Sequence, residues 1–99
     1  IDFQVSPGSP VFAAASGNVA LITDNTENFG KIVLIRHKNN LISIYGRVAK
    51  VLVKKNEVVT KGQKIGSMAE KANDGKNQTI LHFELRRGTQ SVNPENYFE

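Results

Sequence analysis

Apolar and polar residues alternate in short bursts along this chain, and no stretch sustains the 3.6-residue period of an amphipathic helix. Ile1, Phe3 and Val5 alternate with Asp2 and Gln4, which predicts a half-buried strand. Ser6-Pro7-Gly8-Ser9-Pro10 predicts a turn, and Val11-Phe12-Ala13 resumes a strand. Ser16-Gly17-Asn18 turns into Val19 to Thr23, and the polar run Asp24 to Gly30 is a loop carrying the isolated Phe29. Lys31 to His37 and Leu41 to Val48 flank Lys38-Asn39-Asn40, a hairpin signature. In its second arm Leu41, Ser43, Tyr45 and Arg47 share one face, and Ile42, Ile44, Gly46 and Val48 the other.

Val51-Leu52-Val53 is a further short strand, and Glu57 to Gly66 holds a tight reversal bracketed by glycines. Lys71 to Gln78 is a polar loop. Thr79 to Arg86 carries the longest alternation: Leu81, Phe83 and Leu85 point inward, while His82, Glu84 and Arg86 point outward. Arg87 to Gln90 reads as a turn, and Ser91 to Phe98 as a terminal turn or short helix with Pro94 near its start. So many short strands predict an all-β sandwich or barrel. Pro10 to Val19 and Glu57 to Ile65 echo one another, each joining two short strands through a glycine turn.

Composition narrows the chemistry. Ninety-nine residues make one domain, read as 1–99, and the opening Ile1-Asp2-Phe3 reads as the C-terminal part of a longer chain. No apolar run is long enough to span a membrane. The absence of cysteine excludes thiolate zinc sites and thiol catalysis. The net charge of +4 comes from dispersed lysines, and no aromatic residue interleaves with the densest of them, 54–76, as a nucleic-acid stacking platform requires. A solvated basic face, suited to anionic cell-envelope polymers, is the simpler reading.

Taken in order, several segments resemble the lysostaphin-like zinc peptidase domain, also called the LytM domain. They are Ile1-Asp2, Gly8-x-Pro10-Val11-x-Ala13-x-x-x-Gly17-x-Val19 and Phe29-Gly30-x-x-Val33-x-Ile35-x-His37. Tyr45-Gly46-Arg47, Val59-x-x-Gly62-Gln63-x-Ile65-Gly66, Leu81-His82-Phe83-Glu84 and Val92-Asn93-Pro94 continue the series over nearly the whole chain. The resemblance implies a compact all-β core of barrel-sandwich type, with a groove across one sheet, acting on bacterial peptidoglycan. It also implies zinc held by a His-x-x-x-Asp pair and by the second His of a His-x-His. A His in Tyr-x-His and the first His of the His-x-His would assist the reacting water.

This chain departs from that pattern. Asp2 and His82 stand at two ligand positions, and the upstream histidine would precede Ile1. The assisting positions read Arg47 and Ile80. A catalytic zinc needs three protein ligands and an open position. Arg47 stays protonated and Ile80 cannot carry a proton, so a gain of ~10²–10⁴ from general acid–base catalysis is forfeited. The expectation is a pseudoenzyme with no catalytic residue, metal or cofactor.

Degenerate domains of this family are similar in activating peptidoglycan amidases during daughter-cell separation, gripping the amidase through the vacant groove. On that reading the partner is a peptidoglycan amidase, with peptidoglycan itself as a further ligand. The setting is the periplasm or envelope of a Gram-negative bacterium, with outer-membrane anchoring upstream. The groove candidates are Asp2, Phe29, Tyr45, Arg47, Ile80, His82 and Glu84. The bland readings are that His82 bonds Asp2 or Glu84, that Asp2 caps a turn or pairs with Arg47, that Glu84 makes a strand-face salt bridge, and that His37 is structural. The alternative functions are a zinc endopeptidase completed upstream, a lipoyl- or biotinyl-carrier-like domain, and simple peptidoglycan binding. Met68-Ala69-Glu70-Lys71 is a poor carrier motif.

Overall fold

The strands form where β-branched and aromatic residues recur at every second position, because such side chains pack well on a pleated surface. The computed structural model describes residues 2–25, 30–69, 79–88 and 90–92, and among them there are strands and turns but no helix. The strands are β1 (Asp2–Val5), β2 (Pro10–Phe12), β3 (Gly17–Asn25), β4 (Gly30–Arg36), β5 (Leu41–Val48), β6 (Lys50–Val51), β7 (Val58–Val59), β8 (Lys64–Ser67), β9 (Thr79–Arg87) and β10 (Gln90–Val92). A seven-stranded antiparallel sheet runs β1-β9-β5-β4-β3-β7, with β10 also on β9, and a three-stranded sheet runs β2-β8-β6. The all-β reading holds.

The β4–β5 hairpin sits at the centre of the larger sheet. Asn39 and Asn40 both adopt positive φ, 63° and 62°, as a two-residue turn matched to strand twist requires. Asparagine tolerates that conformation better than most residues. His37 N–H donates to the Leu41 carbonyl at 2.8 Å and closes the turn.

The inward faces of both sheets share one core. Val19, Val33, Ile35, Tyr45, Val48, Val59 and Leu85 come from the larger sheet, and Val11 and Ile65 from the smaller, with Met68 just beyond β8. Each such side chain contributes roughly 1.5–3 kcal/mol of burial. The two echoing segments of the sequence interlock: β2 pairs with β8, and β3 with β7. Their turns are stitched by Ala13 N–H to the Gln63 carbonyl and Gly62 N–H to the Ala13 carbonyl, both 2.9 Å.

Three expectations change. The alternation of β5 breaks at Arg47, which has φ 64°. Lys31 pairs with Val48 while Val33 pairs with Tyr45, so β5 carries one extra residue there, a bulge. Val48 thereby takes the inward position, fully buried, and Arg47 turns outward instead of following Tyr45 into the core. Gly30 lies against the bulge, and a Cβ there would stand 2.5 Å from Arg47 Cα. At the C-terminal end, Gln90–Val92 is a strand on β9, because its pairing with Arg87, Arg86 and Leu85 outweighs the turn signal. The strand read over 51–53 is β6, two residues long and shifted one residue earlier.

Candidate functional site

Asp2 on β1 lies directly across from His82 on β9, and Gly46 on β5 lies across from His82 on the other side. Gly46 has no side chain, and a Cβ there would come within 3.2 Å of His82 Cβ, so the imidazole occupies the space above β5. His82 Nδ1 and Asp2 Oδ1 are 2.6 Å apart, a short charge-assisted hydrogen bond. His82 Nε2 faces Glu84 Oε2 at 3.7 Å, and Glu84 Oε1 accepts from Arg86 Nε at 2.8 Å. One outward row therefore reads Asp2, His82, Glu84, Arg86, alternating in charge when His82 is protonated. The neutral floor beside it is Ile44, across from Glu84, and Ile42, across from Arg86.

The Asp2 carboxyl is held below its ordinary value of 3.8, chiefly by the hydrogen bond from His82. Partial burial opposes this, while the charges of His82 and Arg47 add to it. A depressed native pKa contributes stability above 3.8 that is lost as pH falls through the lower native value. Asp2 and His82 are 52% and 42% exposed, so solvent screening holds the effect under about 1 kcal/mol. Melting curves of wild type and Asp2→Asn should differ slightly at neutral pH and converge in acid. A gap that persisted below the native pKa would assign the stabilisation elsewhere.

The other candidate residues are distributed as follows. Ile80, across from Gln4, is half-buried two residues before His82 on the same face. Arg47 acts on Asp2 through space, and His82, not Arg47, makes the hydrogen bond to Asp2. Tyr45 lies in the core, 2% exposed, beneath the face rather than on it. Its ring meets Phe83 edge-on at 5.3 Å between centroids. Phe29 lies outside the described residues, as does the loop read over 71–78.

Sequence reasoning missed a polar network running under this face. Ala14 N–H donates to the Tyr45 hydroxyl at 2.8 Å, and the Tyr45 and Ser43 hydroxyls are 3.0 Å apart. Ser43 Oγ in turn meets His37 Nε2 at 2.7 Å, and His37 Nδ1 donates to the Ser16 carbonyl at 2.8 Å. His37 is thus structural, tying β4, β5 and the turn before β3. The available signal was Ser43, a polar residue at an inward position, which demands buried partners.

The zinc set of the resemblance can be tested against this geometry. Two of its donors, Asp2 and His82, converge, 2.6 Å apart. Among the described residues no three His, Asp or Glu side chains come together as metal ligands. Ile80 and Arg47 supply none. The described residues do not make up a catalytic zinc site.

The sequence profile of Peptidase family M23 matches residues 1–94. The chain is a member of peptidase family M23. Among its M23 relatives is lipoprotein NlpD of Yersinia enterocolitica, 35% identical over 96 residues, covering 97% of this chain and 96% of that sequence. Murein hydrolase activator NlpD of Escherichia coli K12 is 34% identical over 97 residues, covering 98% of this chain but 25% of its own length. The chain therefore spans about a quarter of that relative. The catalytic domain of the prophage-encoded M23 protein EnpA from Enterococcus faecalis, solved as a mutant, superposes with a TM-score of 0.80 at 29% identity. That match covers 98% of this chain and 75% of the EnpA chain. This M23 fold thus carries, among its relatives, proteins named as activators and domains named as catalytic.

Proposed function

We propose that this domain is a non-catalytic M23 module that activates a peptidoglycan hydrolase, of the N-acetylmuramoyl-L-alanine amidase class, during daughter-cell separation. The observation that carries the reading is the Asp2–His82 pair, hydrogen-bonded to each other and flanked by Arg47 and Ile80 where the family's assisting histidines would stand. A face without acid–base apparatus can still bind a peptide while leaving it uncleaved. Arg47 offers a forked donor to a carboxylate, and Ile80 adds apolar contact area. Asp2, His82 and Glu84 supply polar contacts, with Tyr45 supporting the sheet from below; Phe29, outside the described residues, is the remaining aromatic candidate. The name of the E. coli relative, a murein hydrolase activator, supports this reading. Relatives named as lipoproteins, one of them the outer membrane antigenic lipoprotein B of Haemophilus influenzae, support a place in the Gram-negative envelope, and we assign the domain to the periplasm.

The test is release of dye from labelled sacculi by a purified amidase, with and without this chain. Wild type should stimulate release and Arg47→Glu should lower stimulation at least about tenfold, the effect of about 1.4 kcal/mol of lost binding. Melting of the variant should stay near wild type, because Arg47 is outward. Unchanged stimulation would remove Arg47 from the interface. Dye release by the domain alone, lost on chelation and restored by zinc, would replace this reading with the endopeptidase.

A further inference from the structure

We propose a second binding site, at the opposite edge of the larger sheet from Asp2 and His82, that takes the carboxylates of a short extended peptide. A cleft of about 790 Å³ lies between the start of β3, the end of β4 and the turn that precedes β7. Arg36, Lys38 and Lys55 line it, and among the described residues no aspartate or glutamate does. None of the three forms an ion pair with a described residue. The nearest carboxylate in sequence, Glu57, faces away, accepting from Lys54 N–H at 3.2 Å and Gln63 Nε2 at 3.4 Å. Three cations around one concavity, with no counter-charge among the described residues, focus a positive potential into it.

The backbone that carries two of these cations is fixed by turns. Lys38 opens the hairpin turn closed by His37 and Leu41. Lys55 sits in a turn closed by Glu57 N–H to the Lys54 carbonyl at 3.0 Å, with Asn56 at φ 72°. That turn is pinned to β3 by Asn56 N–H to the Val19 carbonyl at 2.8 Å and Val19 N–H to the Glu57 carbonyl at 2.9 Å. A fixed backbone lowers part of the ordering cost of binding.

Two features favour a peptide over a bare phosphate or a bilayer. Val58, 71% exposed, gives the cleft an apolar rim. Moreover β7 covers only Gly17 and Asn18 of the nine-residue β3, so beyond that turn the outer edge of β3 has no strand partner among the described residues. A strand edge that no described strand covers, beside a cationic cleft, suits an extended chain that pairs by backbone and anchors by carboxylate. A flat membrane cannot enter a concavity. The choice of the wall's stem peptide as the ligand rests on the envelope reading above, whereas the site itself does not.

The experiment is an amide NMR titration of the domain with the tetrapeptide L-Ala-γ-D-Glu-diaminopimelyl-D-Ala, its fully amidated twin, inorganic phosphate, and phosphatidylglycerol vesicles. The free tetrapeptide should shift amides of 17–20, 36–38 and 55–58 and leave those around His82 unmoved. Amidation, or the double change Lys38→Glu with Lys55→Glu, should weaken binding about tenfold, as expected for two ion pairs in a partly screened cleft. Equal shifts from the amidated twin, the same shifts from phosphate or vesicles alone, or no shifts would each overturn the proposal. Amidase stimulation, measured separately, fails or survives independently. A domain that binds the peptide without stimulating an amidase would refute only the activation reading.

Discussion

Gly17→Ala is expected to destabilise the domain by about 3 kcal/mol or more, the range of severe overpacking. A methyl group at that position would lie 2.3 Å from the Arg36 carbonyl oxygen, 2.9 Å from His37 Nδ1 and 3.0 Å from Ile35 Cγ2. The first of these is backbone inside the β3–β4 ladder, where Asn18 pairs with Arg36, and cannot rotate aside as a flexible side chain would. Relief requires β3 to move off β4, which would strain the Gly17–Val59 pairing and the His37 bond to the Ser16 carbonyl together. Gly17 is therefore needed for space and not for an unusual φ. Gly62→Ala is the control: its φ of 84° imposes strain, but no atom lies within 4 Å of the new methyl, so it should cost only about 1 kcal/mol. Denaturant midpoints of the two variants check the ordering. Equal midpoints would show that the sheet yields at Gly17.

Much of this was legible where local pattern and tertiary demand coincide. The inward run of Leu81, Phe83 and Leu85 and the outward run of His82, Glu84 and Arg86 follow from period two alone, and the structure keeps both. The hairpin at Asn39-Asn40 was legible because few residues other than Asn and Gly sit comfortably at two successive positive φ values. The facing of Arg47 was not. Its bulge sets a non-glycine residue at positive φ and depends on Gly30, seventeen positions earlier, leaving room for the backbone. The partner of Asp2 was legible as one of two readings, because His82 lies eighty positions away and Arg47 also satisfies the charge; the structure makes the hydrogen bond with His82. β10 was hidden by turn-forming neighbours, since its pairing comes from β9 rather than from its own propensity.

The site shows the same division. Ligand-position residues Asp2 and His82 do converge, and their separation, 2.6 Å, is a distance that no motif contains. The motif Tyr45-Gly46-Arg47 brings three consecutive residues to three different environments. Tyr45 is in the core, Gly46 lies under the His82 ring, and Arg47 points outward through the bulge. Substituting the third position thus changes the surface chemistry while the first continues to support the fold.

Tyr45→Phe should cost about 2 kcal/mol, close to the loss expected when a buried donor or acceptor is left without its partner. The ring would keep its edge-on contact with Phe83, so the packing term is nearly constant and the change isolates the hydroxyl. What is lost is the acceptor for Ala14 N–H at 2.8 Å and the partner of Ser43 at 3.0 Å. Ser43 is fully buried, so its hydroxyl would retain only His37 Nε2 at 2.7 Å. A double-mutant cycle with Ser43→Ala should show coupling of about 1 kcal/mol, because the second substitution removes a group already half-orphaned by the first. Alkaline unfolding supplies a second readout. Burial raises the Tyr45 phenol above its ordinary 10.0, against the lowering effect of its bonds to Ser43 and Ala14. A raised native pKa means stability that is full below 10.0 and lost as pH rises toward the native value, because the unfolded chain ionises first. Tyr45→Phe should remove that part of the alkaline loss while lowering stability at neutral pH. Additive single effects with an unchanged alkaline limb would show that the hydroxyl is a bystander and that the ring alone holds β5 to β9.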